Sequence, residues 1–253
     1  MKRTLMQRIY LLYLIIFFEG FTVLGAELTA IRQLLPFVGG ATDIVAIVIA
    51  AVLVPLAFGY EAGGRYRKSK SFRKRLLINM TVAAIFLSIG LSYIVLEIFF
   101  SLLIVMHITH PLIQTILYCA IFLVTPIYLL GQTIPLCMHF LPKGNQSKST
   151  GLVLVFSTVG SFLGSIVSTL VIMPFFGVNI VVITLCGILL LMLFLLLKDK
   201  MDFYLVISGM FFTGIKKPEI NVRICLKNLK YYIIITSIIW LPCFLMILVI
   251  AGY

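Results

Sequence analysis

Few residues in this sequence have side chains suited to chemistry, and most of those stand where a polar group is expensive. Glu19 lies in the middle of an apolar run from Ile9 to about Ala26. An ionisable side chain at such a depth is costly and is often functional. It has no basic residue nearby, which leaves protonation or a hydrogen bond from a Thr or Ser as ways of tolerating it. Glu19 is therefore the first candidate for handling a solute or a proton. Glu27 and Arg32 follow at the outer end of that run, and Asp43 opens the next apolar run. These three read either as an ion pair stapling the first two spans or as a site for a cationic or zwitterionic solute. Gln132 and Thr133 sit beside Pro135, whose ring removes a backbone donor and breaks a helix. Broken helices expose polar groups that bind solutes in transporters; a plain hydrogen bond to a neighbouring helix is the other reading. His107 and His110 are three apart, but His139 is expected on the other membrane face, so no metal site is expected. There is no HExxH motif, no nucleophile–base pair and no carboxylate pair placed for acid–base work.

These residues have to be positioned by elements of one kind. Hydrophobic residues make up 62% of the chain and charged residues 11%, and the mean hydropathy is +1.19. Soluble domains are closer to about 45–50% apolar and about 25% charged. The expected fold is all-α: a polytopic membrane helix bundle of about seven transmembrane helices. The spans are expected at Ile9–Ala26, Ala41–Tyr60, Leu76–Glu97, Leu112–Phe140, Gly151–Met173, Asn179–Leu197 and Tyr231–Ala251. The basic start and Gly25-Ala26 resemble a secretory signal, but an acid in the core of that run argues for a retained first span. Residues 1–197 form a six-helix module. Residues 198–253 add a basic cytoplasmic or interfacial segment and the final span, with 203–212 too short to cross at about 20 residues per span. Cys119, Cys137, Cys186, Cys225 and Cys243 are scattered without a CxxC pair and read as small apolar fillers.

Small residues mark where helices should meet. Gly160, Gly164 and Ser168 recur every four residues, as do Ser157, Ser161 and Ser165. On a helix these form two adjacent stripes, which let neighbouring backbones approach closely in lipid. The helix from Gly151 is on this basis expected to be the packing centre of the bundle. Gly59 and Gly63 form a second face of this kind, and Gly131 and Pro135 bracket the expected break in the fourth span.

The charges set the orientation. Arg65 to Arg75 carries seven positive charges in eleven residues, and the whole chain carries a formal net charge of +12. With the N-terminus cytoplasmic, every Lys and Arg except Arg32 falls on the inside, as the positive-inside rule requires. The basic runs are then topology determinants whose partners are the bilayer and its anionic lipid headgroups. Nucleic acid is not an expected partner, because no soluble module carries a basic and aromatic platform.

Four pieces of the chain together resemble the membrane-embedded portion of bacterial spermidine-synthase-like (polyamine aminopropyltransferase-like) proteins. Glu27 and Arg32 match an acid followed five positions later by Arg. Gly59, Gly63, Gly64 and Arg65 match the glycine-rich end of the second helix. Gly131-Gln132-Thr133-Ile134-Pro135 is similar to a Gly-Ala-Thr-Phe-Pro box, and Ser157-Thr158-Val159-Gly160 through Gly164, then Pro174 to Gly177, to a later glycine-rich stretch. Ala30, Pro55 and Ser157 depart from the family's usual aromatic, Gly and Asn. No glycine-rich turn follows a strand, so neither the family's catalytic domain nor a nucleoside cofactor is expected. The resemblance implies a bacterial cytoplasmic (inner) membrane. Two functions are open: a small-solute transporter or translocation component, with polyamine-like cations as one class of solute, or a non-catalytic scaffold that docks a separate cytoplasmic enzyme or a membrane partner protein.

Overall fold

The computed structural model describes residues 2–66, 72–139 and 146–196. The expected segment 203–212, the basic stretch around it and the final span Tyr231–Ala251 lie outside the described residues. Within them the regular structure is helical throughout, with no strand. Four helical stretches are long and apolar enough to cross a membrane, and a fifth is gained if one bent pair counts as a single span.

Helix α1 (Lys2–Val38) is longer than the expected first span. No glycine turn or early proline interrupts it after Ala26, so it carries Glu27 and Arg32 on its own surface rather than in a loop. It stops where Gly39 adopts φ 84°, a left-handed conformation that glycine takes without steric cost. Helix α2 (Thr42–Gly64) follows. The third expected span is broken: α3 (Phe72–Gly90) and α4 (Tyr93–Val105) meet at a 65° bend. The break is tolerated because side chains from other helices reach its freed carbonyls. Tyr118 Oη donates to the Gly90 carbonyl at 2.9 Å, and Gln33 Nε2 donates to that of Leu91 at 2.7 Å. A cluster of Phe37, Phe99, Phe100, Tyr118 and Phe122 then pins α4, with Phe37 and Phe100 stacked at 4.6 Å.

The fourth span comprises α5 (Pro111–Tyr118), a π-helical turn (Cys119–Leu123), α6 (Val124–Gly131) and α7 (Thr133–Met138). Its irregularities follow from its prolines, Pro126 and Pro135, the second at the expected break. Pro126 offers no N–H to the Phe122 carbonyl, and the ladder widens into the π turn just before it. Pro135 likewise leaves Gly131 without a helical donor, and the helix is interrupted at Gln132. The same device recurs later: α8 (Gln146–Ile166) enters a π turn (Val167–Ile172) ahead of Pro174, and α9 (Met173–Leu196) contains the non-helical Gly177 at φ 82°, ψ 169°.

The centre of the bundle is α1, which corrects the expectation that the helix from Gly151 would occupy it. In its most apolar stretch 61% of α1 is buried, against 39% for the stretch that begins at Ser147. α1 packs against α8, α9, α2, α5 and α7. The small-residue stripe of α8 makes one very close seam with α1, while Leu154, Val155 and Phe162 on its other side are exposed. A stripe reports how near one neighbour comes, not how many neighbours there are.

Candidate functional site

The backbone seams come first, because they place the polar groups. A side chain at Gly160 would meet the carbonyl of Phe17, and one at Gly164 would lie 2.7 Å from Phe21 Cα. Gly20 answers from α1 by admitting Ser157 and Ser161, and Gly25 leaves room for Leu185 and the hydroxyl of Ser168. At the second seam, between α2 and the α6–α7 break, Gly59 faces Gly131. Gly63 faces Gln132 and Pro135, the latter with Cβ at 3.3 Å from where a Gly63 Cβ would stand. The two groups of packing residues read from the sequence thus form two distinct seams.

Between them lies a buried polar group. Glu19 projects from α1 with 1% of its surface exposed, and its Oε2 has no hydrogen-bond partner among the described residues. Tyr60 on α2 and Cys137 on α7 are its titratable neighbours. Thr133, one helical turn before Cys137 on the same face of α7, is fully buried, and its Oγ1 is also unpartnered. Gln132 is held with a defined orientation: its Oε1 accepts from Asn79 Nδ2 at 2.9 Å and from Arg75 Nε at 3.3 Å. Its Nε2 is left buried without a partner. Native structures pair about 90% or more of their buried polar groups, so three unpartnered atoms on α1, on α7 and at the break before α7 mark this region out.

The other candidates are not drawn into it. Glu27 is buried, whereas Arg32 and Asp43 are exposed. No salt bridge joins Arg32 to either acid; among the described residues the ion pair is Arg65–Glu61. The spacing gives the reason. Five residues at 3.6 per turn rotate Arg32 by about 140° from Glu27, so one faces the interior when the other faces out. The staple of the first two spans, one of the two readings of these residues, is thus not formed. His107 and His110 sit at the α4–α5 turn, and His139 Nδ1 lies 2.7 Å from the Pro135 carbonyl oxygen. No group of three His, Cys, Asp or Glu residues able to hold a metal occurs among the described residues.

Asn79, Arg75, Gln33 and Tyr118 were not singled out by sequence. The signal for Asn79 was present, since it is an amide inside an apolar run. Arg75 belongs by sequence to the basic run, yet it reaches Gln132. Ser168 and Thr169 add two more buried hydroxyl oxygens without partners, in the π turn of the α8–α9 stretch. No protein family, curated protein or solved structure matches the chain.

Proposed function

We propose that this protein is an integral membrane transporter or translocation component that takes a small cationic solute, or a proton, at Glu19. On this reading the bundle has seven spans, counting 147–196 as two across Gly177 and adding Tyr231–Ala251, with the N-terminus cytoplasmic. The Arg65–Arg75 run then faces the cytoplasm, and the polar group lies toward that end of the bundle.

The observation that carries the reading is the unpartnered carboxyl oxygen of Glu19 beside a proline-broken helix. An unpaired buried carboxylate costs many kcal/mol, and the cost is relieved by a proton or by a bound cation. Thr133 Oγ1 offers a second acceptor to an ammonium group, and Gln132 Nε2 offers a donor to a water or to an acceptor on the solute. The resemblance to spermidine-synthase-like proteins makes polyamine-like amines the first class to try. The broken span supports a binding role, since interrupted helices free backbone groups for a solute.

The test is cation binding by the purified full chain. Spermidine at about a hundred times its dissociation constant stabilises a protein by about 2.7 kcal/mol. The expected result is such a stabilisation in the wild type and its loss in Glu19→Gln. No stabilisation by any amine tried, together with identical behaviour of Glu19→Gln, would remove this site from consideration.

A further inference from the structure

We propose that the open groove between α2 and α6 holds one acyl chain of a zwitterionic amino-phospholipid, with the headgroup phosphate on Arg65 and the ammonium on Glu61. The groove has a volume of about 630 Å³ and is walled by Val54, Phe58 and Val124, with Tyr128 on the α6 side and the charged pair at one end. Its origin is local. Gly59 and Gly131 bring the two backbones into contact at one level, and the short side chains of Pro55 and Ala62 leave the flank of α2 hollow on either side of it.

Length is the first argument for a lipid. From Val54 to Arg65 the helix rises eleven steps, or about 16 Å at 1.5 Å per residue. The hydrocarbon core of a bilayer is about 30 Å thick, so the groove covers the depth of one leaflet. Polarity runs the same way, apolar along the walls and charged only at the end of α2 that enters the basic run. Charge complementarity then selects the headgroup. The Arg65 and Glu61 side chains are 79% and 53% exposed and pair with each other one helical turn apart. An exposed pair of this kind is held weakly, so each partner can exchange the other for the opposite charge of a headgroup. Glu61 supplies a partner for the ammonium of a zwitterion, which a singly anionic headgroup lacks, at the start of a run whose other charges are positive. Arg is the better phosphate partner, because its guanidinium matches phosphate with two parallel hydrogen bonds.

Native mass spectrometry of the purified full chain, given equal amounts of phosphatidylethanolamine, phosphatidylglycerol and diacylglycerol, reads the occupant directly. The expected result is retention of phosphatidylethanolamine at least about fivefold over the other two, equivalent to about 1 kcal/mol. That preference should vanish in the Glu61→Gln/Arg65→Gln double variant, whose exposed positions do not threaten folding. Phe58→Trp should displace the lipid by filling the wall while leaving the pair intact. Equal retention of all three lipids would mean ordinary surrounding lipid and overturn the proposal. So would a preference for phosphatidylglycerol. Failure of any lipid to be retained, unchanged by the substitutions, would hand the groove to another occupant such as the apolar segment 231–251 of this chain.

Discussion

Replacing Gly164 by alanine should separate the two most closely packed helices of the bundle. The added Cβ would stand 2.7 Å from Phe21 Cα and 2.8 Å from its carbonyl carbon, whereas ordinary contact begins at 3.4 Å. The Phe21 carbonyl oxygen is nearer still, so α8 must retreat by at least about 0.7 Å, because the obstacle is backbone that cannot rotate away. Overpacking of this kind costs about 1–3 kcal/mol, and a backbone obstacle belongs at the upper end. Alanine's better helix propensity returns at most about 1 kcal/mol, leaving a net loss of about 2 kcal/mol. That is about a thirtyfold change in the folding equilibrium. Gly187→Ala is the control, since nothing lies within 4 Å of the added methyl; it should be neutral or slightly stabilising. The assay is unfolding of the purified protein by increasing SDS in mild detergent, followed through the thiols of Cys119, Cys137 and Cys186. All three are buried and should label only on opening. If Gly164→Ala and Gly187→Ala unfolded at the same SDS fraction, the backbone contact between α1 and α8 would be refuted.

The second seam should behave as one unit: Gly59→Ala and Gly131→Ala should each destabilise, but together cost less than their sum, because one displacement of α2 from α6 relieves both. A double-mutant cycle in the same assay measures the difference. Tyr118→Phe leaves the Gly90 carbonyl at the break in the third span without its donor, and should cost about 1–3 kcal/mol; hydrogen exchange should increase first at α4. Asn79→Leu removes one of two donors to Gln132 Oε1, with an expected loss in the same range read from the unfolding midpoint. Arg32→Ala and Asp43→Ala should leave that midpoint where it is, since neither side chain is paired; a large loss from both would restore the ion-pair reading.

How much of this was legible in the sequence depends on whether the partner was local. The glycine stripes at Gly59–Gly63 and Gly160–Gly164 announced close seams, because spacing by four fixes one helix face whatever lies opposite. Pro126 and Pro135 announced their irregularities for the same reason, each acting on a carbonyl four residues away. The identity of the neighbour was not legible. Nothing in α8 says that its glycines meet Phe17 and Phe21, or that α1 gathers most of the other helices. The break at Leu91–Ser92 was missed because its carbonyls are satisfied by Gln33 and Tyr118, 58 and 28 residues away from Leu91 and Gly90 respectively. In the site, Glu19, Gln132 and Thr133 were found as polar groups out of place. Asn79 and Arg75, which orient Gln132, act across more than fifty residues and only the packing of α3 against α6 and α7 reveals them.

Flux through proteoliposomes tests the role of Glu19 most directly. Wild type and Glu19→Gln are reconstituted side by side, loaded with a labelled amine across a pH gradient, and checked for equal insertion and equal protection of the buried thiols. The account predicts that Glu19→Gln lowers the initial rate at least about tenfold, about 1.4 kcal/mol, with folding intact. An equal rate in the two proteins would contradict it.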